Sequence, residues 1–115
     1  MYILFLDDLR ERYEHFRRSH PDDRVIWAPS AYEFRAILSI ASRFDEIWMD
    51  HDLEEADATE DGQDAAMYIA MHLEHSKYPD RIVIHSWNPE GTLDMLDILE
   101  PTGIPIQSIP YPVVR

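Results

Sequence analysis

Three short runs hold most of the side chains that could do chemistry: Asp7-Asp8, Asp50-His51-Asp52 and His85-Ser86-Trp87-Asn88. Each sits at the end of an apolar stretch, YILFL (2–6), EIWM (46–49) and RIVIH (81–85) respectively. Carboxylates crowded within a few ångströms repel one another and must either take up protons or share a cation. A hard divalent ion suits them: Mg²⁺, with Mn²⁺ as an alternative, takes oxygen ligands, keeps several waters and bridges to phosphate. Asp7, Asp8 and Asp50 are the expected ligands. Singly, these residues have plain structural uses as well, Asp8 as a helix cap, Asp52 as a turn cap and Asn88 as an N-cap. An Asp pair and an Asp-His-Asp at one edge of one sheet favour the metal.

The elements that must position them alternate. YILFL is a continuous apolar run, the mark of a strand buried on both faces. Leu9, Tyr13 and Phe16 follow at helical spacing, and that helix stops by Pro21. RVIWA (24–28) reads as a second strand, and Ser30 with Glu33 makes a capping box for a helix that buries Phe34, Ile37, Leu38 and Ala41. EIWM is the third strand. A third helix is expected from about Asp61 to Ser76, with Ala66, Ile69, Ala70 and Leu73 inward, before strand four at RIVIH. Asn88-Pro89 opens a helix to about Leu99, because Asn caps and proline favours the first turn. Gly103 ends that region, and IPIQSI (104–109) is a fifth strand whose Pro105 suits only an edge.

Alternating strands and helices predict an α/β fold with a single doubly wound parallel sheet of five strands, order 2-1-3-4-5, and helices on both faces. In such sheets ligands bind beyond the carboxyl ends of the strands, which is where all three runs fall.

Composition narrows the rest. The 115 residues predict one domain spanning 1–115, and 45% apolar with 29% charged residues is the balance of a folding chain. Net charge is −13 and Lys77 is the sole lysine, so duplex nucleic acid is excluded as a partner: such a surface repels polyanions and has no basic stripe. No apolar run approaches the roughly 18 residues of a membrane span, and acids interrupt MYILFLDD before a signal core forms, which points to the cytoplasm. The absence of cysteine removes disulfides, thiolate metal sites and thiol nucleophiles. Oligomeric state is left open.

The three runs together resemble the response-regulator receiver domain, in which an acidic pair ends the first strand, a phosphoacceptor Asp the third and a Ser or Thr the fourth. Asp7 and Asp8, Asp50 and Ser86 match by position. The receiver lysine after strand five has no counterpart in QSIPYPVVR, and Lys77 lies at the wrong end of strand four. The chain is more similar to the cyclic-phosphate processing receiver family, through FLDDLR (5–10), MDHDL (49–53), a glycine opening helix three in DGQDAA (61–66), and HSWNPEG (85–91). This resemblance spans residues 1 to about 100. It implies a divalent-metal phosphoesterase acting on a cyclic phosphate, of a nucleotide or an RNA end, for example a 2′,3′-cyclic phosphate.

In that frame Asp7, Asp8 and Asp50 hold the metal, and Asp50 stays open as a covalent nucleophile. His51 and His85 are the candidate general base and acid, since imidazole titrates near neutrality, and Asp52 orients one of them. Arg10 meets a phosphate oxygen in place of the missing lysine, Ser86 donates to another, and Asn88 completes the substrate contacts. Trp87 is placed to stack on a nucleobase, whereas Trp27 and Trp48 read as core or rim. Two alternatives stand beside the enzyme: a catalytically inactive pseudo-receiver that binds a partner, and a phospho-accepting receiver.

Other signals are weaker. DATEDG (57–62) partly imitates a calcium loop, but its twelfth position is Tyr68 where a bidentate Glu is needed, so residues 54–61 read as a solvated acidic loop or lid. His72 and His75 have a zinc-compatible spacing without a third ligand. His51-Asp52 matches the pair of histidine-aspartate phosphohydrolases, but that motif belongs on helices.

Overall fold

A computed structural model of the protein describes residues 1–53 and 59–109. Five strands, β1 (Tyr2–Leu6), β2 (Arg24–Ala28), β3 (Glu46–Met49), β4 (Arg81–Ile84) and β5 (Ile106–Ser108), alternate with four helices, α1 (Arg10–Ser19), α2 (Ala31–Ile40), α3 (Gly62–His72) and α4 (Pro89–Leu99). All neighbouring strands pair in parallel, and the order is β2-β1-β3-β4-β5. The α/β doubly wound sheet with order 2-1-3-4-5 is therefore as expected.

Alternation along each strand divides the core in two. Leu4, Leu6, Ile47, Met49, Ile82 and Ile84 face α2, α3 and α4, packing against Phe34, Leu38, Ala66, Ile69, Met95 and Leu99. Ile3, Phe5, Trp48 and Val83 face the other way, onto Phe16 of α1. The central strands are buried on both faces, which is why they carry unbroken apolar runs rather than alternating ones.

The caps explain where the helices begin. Ser30 accepts from the Glu33 amide, Asp61 and Asp64 form a reciprocal capping box on α3, and the Asn88 side chain accepts from Gly91 with Pro89 in the first turn of α4. Helix α1 is the exception. Its N-cap is Leu9, which has no capping side chain, so Asp8 does not serve there.

Three boundaries are shorter than the sequence suggests. Helix α3 ends at His72 instead of Ser76, because Leu73 takes an extended conformation and sinks its side chain into the core; residues 75–77 form a separate 3-10 turn. Strand β4 stops at Ile84, one residue before His85. Strand β5 occupies 106–108, since Pro105 has no amide to donate and contributes only its carbonyl, to Ile82. It lies at the sheet edge, and Gly103 before it has φ 77°, a left-handed turn that glycine adopts without strain.

The acidic loop lies largely outside the described residues, at 54–58, as do residues 110–115 of the segment searched for a lysine. Among the described residues no helix is long and apolar enough to cross a membrane.

Candidate functional site

Sheet register builds the site. Leu6, Met49 and Ile84 are in line across β1, β3 and β4. The ladder then runs one residue further: the Asp7 amide donates to Ala28, Asp50 to Leu6 and His85 to Met49. Asp7, Asp50 and His85 therefore emerge side by side, on the face covered by α1, since their alternation follows Phe5, Trp48 and Val83. Trp27 holds the end of β1 through its indole N–H, which donates to the Asp7 carbonyl at 2.7 Å.

Ligand-capable oxygens of Asp7, Asp8 and Asp50 all lie within 4.8 Å of one another. Among the described residues this is the one group of three or more side chains suited to a metal. The first and last are buried, and each uses one carboxylate oxygen locally: Asp7 Oδ1 accepts from the Leu9 amide at 2.9 Å, and Asp50 Oδ1 from the His51 amide at 2.8 Å. Their Oδ2 atoms face each other's field. Burial raises the Asp50 carboxyl to about 8, with Asp7 adding repulsion, and burial lifts Asp7 to about 6 despite the Leu9 amide and Arg12.

Arg12 Nη1 lies 3.4 Å from Asp7 Oδ2 and 3.4 Å from Asp50 Oδ2. It is a residue that sequence reasoning missed. Arg10 was the expected cation, yet its side chain is 78% exposed and its Nε lies 3.9 Å from Glu14. At 100° per residue, α1 turns position 12 toward the strand ends and position 10 toward solvent. The usable signal was the register of Phe16, the buried anchor of α1, because Arg12 stands four residues before it on the same face.

His85 is completely buried. Its ring stacks on Phe5 at 4.9 Å, its Nε2 lies 3.2 Å from the Leu6 carbonyl, and its Nδ1 is 3.8 Å from Asp7 Oδ2. Burial pushes its pKa down to about 3, so the ring is neutral at ordinary pH. The chain beyond β4 thus delivers this candidate proton carrier into the core, beside Asp7, rather than to the surface.

His51 turns to the opposite side of the strand end. Nδ1 lies 2.9 Å from Asp52 Oδ1 and Nε2 lies 3.4 Å from Asp61 Oδ2, the N-cap of α3. Asn88 Nδ2 donates to the same Asp52 oxygen at 3.3 Å. The His51 hydrogen bond, aided by Asn88, lowers the Asp52 carboxyl below its ordinary value. The His51 ring thus stands between two carboxylates, Asp52 at Nδ1 and Asp61 at Nε2.

Two glycines pack against this segment, Gly91 on the His51 ring and Gly62 on the backbone of Asp50 and His51. A Cβ on Gly91 would stand 2.4 Å from the His51 ring, and one on Gly62 would stand 2.1 Å from the Asp50 carbonyl oxygen. Both belong to the quoted motifs, but their role appears only once α3 and α4 converge on His51.

Ser86 is nearly buried, and its Oγ accepts from the Asn88 amide at 3.0 Å, leaving the O–H to donate. Trp87 is 55% exposed beside an open cavity. His72 and His75 pack against Tyr68 and Tyr78 and join no metal-capable group among the described residues.

The donor set fits a hard cation: three carboxylates, two of them buried and raised by that burial although one guanidinium stands 3.4 Å from each of the two. No curated protein matches the chain. The family model described as the cyclic-phosphate processing receiver domain matches residues 2–101. Among solved structures, a response regulator receiver protein from Pseudomonas putida superposes with TM-score 0.72 at 18% identity, covering 96% of this chain and 87% of that one. A CheY-like receiver domain protein from Methanospirillum hungatei gives 0.70 at 17% identity over 97% and 82%. A Burkholderia pseudomallei response regulator, determined with a phosphorylated aspartic acid, calcium ion and citrate, gives 0.72 at 14% identity over 98% and 61%. At these identities the neighbours establish the receiver fold.

Proposed function

Since this chain belongs to the cyclic-phosphate processing receiver family, we propose that it is a metal-dependent phosphoesterase that acts on a cyclic phosphate, such as a 2′,3′-cyclic phosphate of a nucleotide or RNA end. The observation that carries this reading is the Asp7, Asp8 and Asp50 cluster, in which two buried carboxyls are raised to about 6 and about 8. A group so costly to ionise serves a cation better than it serves the fold.

A divalent ion held by these three aspartates, Mg²⁺ or Mn²⁺, would supply Lewis acidity toward a phosphoryl oxygen. Arg12 balances the charge of Asp7 and Asp50 and offers its remaining N–H groups to phosphate. His51 is the proton carrier, oriented by Asp52 at Nδ1 and by Asp61 at Nε2. Asn88 keeps Asp52 in place, and the Ser86 hydroxyl donates to a phosphate oxygen. Opening a strained cyclic phosphate needs little beyond this positioning and charge balance.

Turnover of adenosine 2′,3′-cyclic phosphate, with Mg²⁺ and with Mn²⁺, is the test. Product is expected in at least one metal, and Asp50→Asn should lower kcat/KM by at least ~100-fold, as for loss of one electrostatic stabiliser. Absence of product in both metals sinks the enzyme and leaves the pseudo-receiver. Labelling of Asp50 by acetyl phosphate would instead assign a phospho-accepting receiver.

A further inference from the structure

We propose that the cavity beside α4 is a nucleobase subsite, so that the phosphate reaching the aspartate cluster is carried on a nucleoside; the phosphate end of this statement rests on the phosphoesterase reading. The cavity has a volume of about 480 Å³ and is walled by Ser86, Trp87, Thr92, Leu93 and Leu96. That is ample for a base with its ribose, since small-molecule sites occupy roughly 300–1,000 Å³.

Charge singles this cavity out. The chain holds 23 acids among 115 residues, yet no ionisable side chain is among the described residues lining this space. Two other cavities among the described residues are different: one carries Arg35, Glu60 and Asp64, another Arg17, Arg18 and Asp23. An uncharged, flat, aromatic group is therefore the ligand that loses least on entering, as no carboxylate has to be stripped of water.

Shape and polarity agree. Trp87 and Leu93 are 55% and 62% exposed, two large apolar side chains that line the same cavity. The indole offers a π face for stacking, which tolerates any base.

Continuity with the phosphate site is built by one loop. Ser86, Trp87 and Pro89 line the cavity, whereas Asn88 between them donates to Asp52, the partner of His51. The backbone of His85 pairs with Met49, beside Asp50. A ligand seated on Trp87 thus sits between Ser86, next to the end of β4, and Asn88, which donates to Asp52.

The test uses the full chain, with the Trp87 indole N–H resonance assigned through Trp87→Phe. Titration with adenosine, and with adenosine 2′,3′-cyclic phosphate in Mg²⁺, should move that resonance; glycerol 1,2-cyclic phosphate should not. Trp87→Ala should weaken the nucleotide about tenfold, the lower part of what stacking on one aromatic contributes; Leu93→Glu, at a 62% exposed position, should weaken it too and leave glycerol 1,2-cyclic phosphate turnover unchanged. An unmoved indole resonance overturns the subsite, as does equal loss of both cyclic phosphates. So does a resonance that moves only with protein concentration, which would make the face a contact between copies of the chain. Adenosine binding without turnover of either cyclic phosphate would uphold the subsite while refuting the phosphoesterase.

Discussion

Asp50 carries a cost that the fold alone does not repay. It is 3% exposed, it faces Asp7, and its carboxyl is raised to about 8 against an ordinary value near 4. A carboxyl whose folded pKa is raised contributes its stability below the unfolded pKa and loses it as pH climbs through the folded one. The metal-free protein should therefore weaken as pH rises from about 4 to about 8, with Asp7 adding to the slope near 6. Asp50→Asn removes the larger share. At pH 8 and without divalent metal, chemical denaturation should find the variant more stable by on the order of 1–3 kcal/mol, and a flatter pH profile between 4 and 8. A variant less stable than the parent across that window would mean that the Asp50 carboxylate is a structural asset, through Arg12 and the His51 amide, and not a strained ligand.

At the scale of elements, the junctions matter more than the elements themselves. Helices α3 and α4 meet at His51, and each brings a glycine to the meeting. The two substitutions to alanine should behave differently, although both remove a glycine from a helix start. At Gly91 the obstacle is the His51 ring, a side chain that can rotate away, so Gly91→Ala should fold with a stability change within about 1 kcal/mol while losing activity roughly tenfold or more. At Gly62 the obstacle is the Asp50 carbonyl and the His51 Cα, which are backbone and cannot yield. Gly62→Ala should therefore cost about 2–4 kcal/mol, read as a lowered denaturation midpoint, because the β3 to α3 connection must shift. Equal stability loss in both variants would remove the distinction. Activity retained in Gly91→Ala would show that the seat of the His51 ring has no catalytic consequence.

For the molecule as a whole, the −13 charge and the aspartate cluster predict different responses to ions. General screening eases self-repulsion with any salt, whereas a ligated cation acts by mass action and saturates. At matched ionic strength, Mg²⁺ or Mn²⁺ should raise Tm beyond NaCl in the parent protein, by several degrees, and should lose that excess in Asp50→Asn. An excess unchanged in the variant would place the ion elsewhere on the acidic surface. Much of this molecule was legible in its sequence. Buried parallel strands need unbroken apolar runs, and caps such as Ser30, Asp61 and Asn88 write helix starts locally, so element order, sheet order and the convergence of Asp7, Asp8 and Asp50 followed from short stretches of chain. The tertiary structure decided what depends on rotation and distance between elements. Helical phase chose Arg12 over Arg10, strand alternation buried His85 while turning His51 to the other face, and the approach of α3 and α4 set Gly62 against the Asp50–His51 backbone and Gly91 against the His51 ring. Residue types and spacings name the groups that reach a sheet edge; burial and orientation there arise only when separate segments pack, since each is a property of the neighbours a residue meets across the fold.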